Sequence, residues 1–135
     1  LLPAHFYSDA NRRIYEAAQD VDIALVGIGM IAEQTPGFCS LAESYGVSVK
    51  RLFVDAAQDR VTMLVRMTPG ASYPRHRHAG PEECYVLEGD LHLPDLVLRA
   101  GDYQRAEPQS IHGLQFTENG CLLFIVSSRH DEIVA

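Results

Sequence analysis

The chain has 135 residues, a hydrophobic fraction of 47%, a charged fraction of 21% and a formal net charge of −7. That length suits one domain with a core of its own. The acidic balance and scattered Lys and Arg residues exclude a basic face for direct nucleic-acid contact.

Residues 1–36 are expected to form a short helical arm. Ser8 and Asp9 are candidate N-caps for "ANRRIYEAAQ", in which Ile14 and Ala18 share one side at helical spacing. Asp20 or Asp22 is a candidate cap for a second helix through "IALVGIGMIAEQ", with Ile23, Val26 and Met30 as its apolar stripe. Two glycines and several β-branched residues there favour a buried strand as the competing form. The run "VDIALVGIGMIA", Val21 to Ala32, falls short of the ~20 apolar residues of a membrane helix, and acidic residues flank it. It also lacks the basic start and small-residue cleavage site of a secretory leader. Thr35-Pro36-Gly37 then stops the segment.

From Val47 the pattern is β. "VSVKRLFV" and "RVTMLVRM" are rich in branched and apolar residues, and "DAAQD" between them reads as a hairpin loop. Val61, Met63, Val65 and Met67 alternate with Thr62, Leu64 and Arg66. Turns follow at Pro69-Gly70, at Pro94-Asp95 between "LHL" and "LVL", and at Ala100-Gly101-Asp102. Glu118-Asn119-Gly120 joins "GLQF" to "CLLFIVSS" as a hairpin. Many short strands with no helices between them predict a sandwich or barrel.

The chemistry concentrates in "PGASYPRHRHAGPEECYVLEG", Pro69 to Gly89. On a strand, residues i and i+2 share a face, so His76 and His78 can turn both imidazoles to one point while Arg77 faces away. Gly80-Pro81 breaks the strand, and Glu82 or Glu83 follows. If Glu82 is inward, Cys84 and Val86 are inward with it, and Glu83 and Tyr85 look outward. Two imidazoles and a carboxylate suit Zn, Fe, Mn, Ni or Cu. His112 is the expected further donor, while His5, His92 and His130 read as surface or packing residues. Tyr73, Tyr85 and Tyr103 can reach a barrel interior but read as packing residues. Arg75 and Arg77 flank the first histidine and read as surface residues.

Gly70, His76, His78, Glu82 and Gly89 reproduce the spacing Gly-x5-His-x-His-x3-Glu-x6-Gly, and Gly101, Pro108 and His112 follow. The first set resembles the first cupin motif without a gap. The second resembles the second cupin motif, with one extra residue before Pro108 and with Ser110 where glycine is frequent. Residues 45–130, including the doubled Glu82-Glu83 and the "CLLFIVSSRHDE" ending, resemble the cupin half of ChrR-type anti-sigma factors. The resemblance implies a double-stranded β-helix, a jelly-roll barrel, over residues 37–135. It also implies a metal set of His76, His78, Glu82 and His112, with Zn expected first and Fe, Mn or Ni as alternatives. Such anti-sigma factors grip their sigma factor with an HxxxCxxC zinc domain, and that spacing does not occur in these residues.

Two functions are consistent with this reading. One is a regulatory or stress-sensing domain acting through a sigma factor or another protein partner. The other is a small metal-dependent dioxygenase or isomerase built on the same donors. Cys84 is a candidate oxidant-sensing thiol, though packing is the expected role. A homodimer, a small-molecule ligand in the barrel and no membrane partner are expected. Three cysteines without CxxC spacing fit a cytoplasmic location. Leu1 is not an initiator methionine, so the sequence is expected to begin within a longer chain.

Overall fold

The structure, a computed structural model, describes residues 26–27, 30–31, 37–40 and 46–135. The chain divides into two compact units, Leu1–Gly37 and Phe38–Ala135. In the first, β1 (Val26–Gly27) and β2 (Met30–Ile31) pair as an antiparallel ribbon. Here the strand alternative prevails over the second helix, because β-branched residues and glycines favour extended backbone over a helical turn. The remainder of the expected helical arm lies outside the described residues.

The second unit carries β3 (Cys39–Ser40), β4 (Val47–Asp55), β5 (Arg60–Met67), β6 (Ser72–Tyr73) and β7 (His76–Arg77). These are followed by β8 (Glu82–His92), β9 (Val97–Arg99), β10 (Tyr103–Ala106) and β11 (Ile111–His112). Last come β12 (Gln115–Phe116), β13 (Cys121–Ser127) and β14 (Glu132–Ile133). One sheet runs β3-β4-β5-β13-β8-β12-β6, with β9 and β10 also on β8, and a second runs β11-β7-β14. Every pairing is antiparallel among the described residues. The curled sheets form the cupin β-barrel that the resemblance implies.

β8 links the two halves of the roll. Glu83 to Gly89 pair with β13, and Asp90 to His92 pair with β9. The changeover falls at Gly89, whose φ is +81° and where a Cβ would stand 1.9 Å from the Gly120 carbonyl oxygen. Only glycine fits so close a backbone crossing. The buried core is Val47, Val65, Met67, Val86, Leu91, Leu98, Leu123 and Ile125 with their neighbours. Each such side chain contributes about 1.5–3 kcal/mol when fully buried.

The expected alternation in β5 is incomplete. Val61, Val65 and Met67 are buried on one face, but Leu64 on the other is only 1% exposed. Lys50, its partner across β4, is also fully buried. The second face of this strand is therefore covered at Leu64, although Arg66 further along it is exposed, and alternation alone cannot show such local cover.

Two polar clusters pin the loops. Asp59, in the β4–β5 turn with φ 52°, accepts hydrogen bonds from the Ser128 hydroxyl, His130 Nδ1 at 2.7 Å and the Arg129 amide at 3.3 Å. That fixes the segment between β13 and β14. Asp90 is buried and accepts from the amides of Glu118 and Asn119 at 2.9 and 3.1 Å and from His92 Nε2 at 2.8 Å. His92 in turn stacks on Phe116, with ring centroids 4.6 Å apart. His92 and His130 are thus packing and anchoring residues, and His5 lies outside the described residues.

Candidate metal centre

β7 lies between β11 and β14, and this places the donors. His112 is directly opposite His76 in the β11–β7 pair, so both side chains leave the same face. His78 is two residues further along and turns the same way. Its backbone is held by the Ser110 carbonyl, 2.9 Å from the His78 amide, and by the Gln109 amide, 2.7 Å from the His78 carbonyl. Gln109 takes a φ of 68°.

The three rings meet edge to face. Their centroids are 4.8 Å apart for His76 and His78, 5.4 Å for His76 and His112, and 4.5 Å for His78 and His112. His78 Nε2 and His112 Nδ1 face each other at 3.0 Å, and Gln115 Nε2 is 3.1 Å from the same His112 nitrogen. His76 Nδ1 donates to the Pro74 carbonyl at 3.0 Å, leaving its Nε2 as the lone-pair donor.

Parity places Glu82, Cys84 and Val86 inward in β8 and leaves Tyr85 outward. Glu82 oxygens lie 3.7 Å from His78 Nδ1 and 3.9 Å from His112 Nδ1. Glu83 instead accepts a hydrogen bond from the Tyr103 hydroxyl at 2.8 Å.

Two overlapping donor groups result. His76, His78 and His112 form one; His76, His78, Glu82 and Asp131 form the other, with all donor atoms of each group within 4.8 Å of one another. Sequence reasoning missed Asp131, which lies 53 residues beyond His78. One carboxylate oxygen accepts from the Ala79 amide at 3.0 Å, and the other lies 3.3 Å from His78 Nδ1. Pairing of β14 with β7, Ile133 opposite His76, delivers it there. No local motif announces such a residue. Gln115 was missed for the same reason.

The electrostatics suit a cation. Burial pushes the Glu82 carboxyl up to about 7, against the opposing pull of His78. Burial, aided by the two neighbouring imidazoles, lowers His112 to about 4, so that ring is neutral and able to ligate. Burial also lowers His76. Burial acts to lower His78 too, but the hydrogen bond to Asp131 and the charge of Glu82 outweigh it and raise that ring. Three imidazoles, of which burial favours the neutral form at His76 and His112, plus a buried carboxylate form a nitrogen–oxygen donor set that fits Zn, Fe, Mn or Ni. A bound dication would reverse the bias on Glu82 and keep it ionised.

A cavity of about 420 Å³ adjoins the donors, and Tyr73, His76, Glu82, Gln115 and Asp131 line it. Tyr73 packs edge-on against His76 at 5.0 Å. Tyr85 and Tyr103 are exposed on the outer surface. Arg77 pairs with Glu132 at 3.5 Å, and Arg75 bonds the Ala135 carbonyl at 2.7 Å, both away from the donors.

Residues 30–130 match the family described as the ChrR cupin-like domain. The chain belongs to that family. A search of curated proteins finds no match. Among solved structures, an acetylacetone dioxygenase from Acinetobacter johnsonii superposes with a TM-score of 0.67 at 18% identity, over 73% of this chain and 72% of that one. The complex of Rhodobacter sphaeroides SigE with the anti-sigma ChrR gives 0.58 at 22% identity, over 67% of this chain and 48% of the other. The polyketide cyclase RemF from Streptomyces resistomycificus gives 0.55 at 22%, over 69% and 74%. At these identities the likeness is one of fold. No helix of the described residues is long and apolar enough to cross a membrane.

Cys84 and Cys121 are buried, and burial pushes their thiols up to about 12 and about 11; Cys39 is exposed. A disulfide-exchange reagent at neutral pH is expected to modify Cys39 promptly, and the other two only after unfolding. Rapid labelling of Cys84 in the folded protein would restore the oxidant-sensing alternative.

Proposed function

We propose that this cupin-like chain holds one divalent metal through His76, His78, Glu82 and His112, and responds to a small molecule bound beside it. Zinc is the first expectation, with iron, manganese or nickel as alternatives. The reading rests chiefly on one observation: His76 and Glu82 belong both to the donor groups and to the wall of the cavity. A ligand in the cavity therefore meets the metal. Its output is regulatory, passed to a protein partner such as a sigma factor. Family membership supports this, as does the fold likeness to the ChrR chain of the SigE complex.

The enzymatic reading keeps the same donors. Four protein ligands on an octahedral metal leave two positions for substrate or water, and the metal then supplies Lewis-acid or redox chemistry. The direct opening of the donors onto the cavity favours it, and the superposition on a dioxygenase is in keeping with it. The chain's own residues would position the substrate: the Tyr73 and Gln115 side chains line the same wall as His76.

The deciding experiment is elemental analysis with X-ray absorption on protein purified without chelator. Stoichiometric zinc with four protein donors and no water supports the regulatory domain. A six-coordinate iron, manganese or nickel with exchangeable oxygen ligands supports the enzyme. Protein that binds no transition metal would sink both.

A further inference from the structure

His78 is fully buried, and each of its ring nitrogens faces a different group. Nε2 meets His112 Nδ1 at 3.0 Å, inside the imidazole cluster. Nδ1, on the other edge of the ring, lies 3.3 Å from Asp131 Oδ2. Glu82 Oε2 stands farther from that nitrogen, at 3.7 Å, so Asp131 is its nearer carboxylate. The bonding directions of the two imidazole nitrogens diverge, so an oxygen facing Nδ1 is turned away from a cation held on Nε2.

Asp131 is itself fixed from both sides. Its Oδ1 accepts from the Ala79 amide at 3.0 Å, one residue beyond His78. Before it, the Arg129 amide is bonded to Asp59 and the His130 amide to the Ser128 hydroxyl. After it, Glu132 is opposite Arg77 and Ile133 opposite His76, and the Val134 amide bonds the Arg75 carbonyl at 3.0 Å. One carboxylate thus holds both the backbone after His78 and the His78 ring. It selects the tautomer with its proton on Nδ1, because the other would set a nitrogen lone pair against a carboxylate oxygen. His76 obtains the same tautomer locally, from the Pro74 carbonyl two residues before it. His78 obtains it from a strand at the far end of the chain.

We infer that Asp131 is a positioning residue of the metal centre, holding His78 in the Nδ1–H form so that its Nε2 lone pair faces the other donors. Asp131 is therefore not one of the ligands. A carboxylate bonded behind a ligating imidazole fixes the ring and strengthens it as a donor, and losing it lowers metal affinity roughly ten- to a hundredfold. The effect on affinity rests on the proposed function; the tautomer does not.

Nitrogen-15 NMR of the histidine rings in metal-free wild-type protein, well above neutral pH, reads the tautomer directly. His78 protonated on Nδ1 is expected, and protonation on Nε2 would overturn the inference whether or not the protein binds metal. Asp131→Asn is the variant to compare. Its amide oxygen can still accept from Ala79, while its NH2 group opposes a proton on Nδ1. Zinc affinity, measured by competition with a chelator, should fall roughly ten- to a hundredfold. His78 should shift to the Nε2–H form, and X-ray absorption should count the same number of protein donors. Zinc affinity within about twofold of wild type would overturn the inference, as would loss of one oxygen donor, which would make Asp131 a ligand. Weaker zinc binding with the wild-type tautomer retained would reduce the contact to a structural one. Wild-type protein that binds no metal but carries the His78 proton on Nδ1 would sink the proposed function and leave the Asp131–His78 pair standing.

Discussion

His76→Ala protein is expected to purify without metal, whereas wild-type protein carries a stoichiometric transition metal. The imidazole is 4% exposed, and its Nδ1 is tied to the Pro74 carbonyl, so its Nε2 is held ready with little freedom to lose on ligation. Removing it leaves a smaller donor set around a buried carboxyl. The stability consequence follows by mass action. Metal at a hundredfold its dissociation constant stabilises the folded state by about 2.7 kcal/mol, or roughly 10 °C in Tm for a chain of this size. Added zinc should give that shift in wild-type protein and none in His76→Ala. His130→Ala, altered at an exposed ring bonded to Asp59, should behave as wild type toward metal. Equal metal content in wild-type and His76→Ala protein would remove the site.

The same site carries a pH signature. Glu82 has its folded-state pKa raised from 4.5 to about 7 by burial. In the metal-free protein the folded state therefore holds a proton that the unfolded chain has released. Stability contributed by that proton is present at acid pH and is lost as pH rises through this window. Metal binding requires the proton to leave. The Tm gained on adding metal should accordingly grow between pH 5 and pH 8, read by paired melts with and without zinc.

Asp90→Ala is expected to cost about 3 kcal/mol or more, through three hydrogen-bond donors that lose one acceptor. The amides of Glu118 and Asn119 and the His92 ring all converge on this carboxylate, which joins the β12–β13 turn to β8. Burial alone would raise its pKa, but these hydrogen bonds outweigh it and hold the group below the ordinary carboxylate range. For a depressed carboxyl the stabilisation is present above the unfolded pKa and disappears as pH falls through the folded one. Urea melts should therefore show a wide gap between wild type and Asp90→Ala at pH 7 and a narrower one at pH 3. A gap of under about 1 kcal/mol at pH 7 would mean that the turn is held by something else.

Several features of the barrel and its donors could be read from short-range pattern. Strand parity alone turns His76 and His78 to one point and puts Glu82 and Cys84 on a common face, because a side-chain period of two is a property of any extended chain; that this face is the inner one was implied by the resemblance. Gly89 is readable as a required glycine once its place in the motif is seen, although the reason, the Gly120 carbonyl against its Cα, is visible only in the fold. The second helix of the N-terminal arm was the weaker choice for the opposite reason. A short apolar run with glycines has no decisive period, and residues 26–27 and 30–31 settle as strands.

By itself the sequence determined the strand-rich character, the shared face of His76 and His78 and the common parity of Glu82 and Cys84, since each depends on spacing within a few residues. Tertiary structure alone decided that Asp131 meets His78, that Gln115 reaches His112 and that Leu64 is covered on its second face. Those facts depend on which strands lie side by side. Side-chain periodicity says which way a residue points, but only the pairing of distant segments says what it then faces.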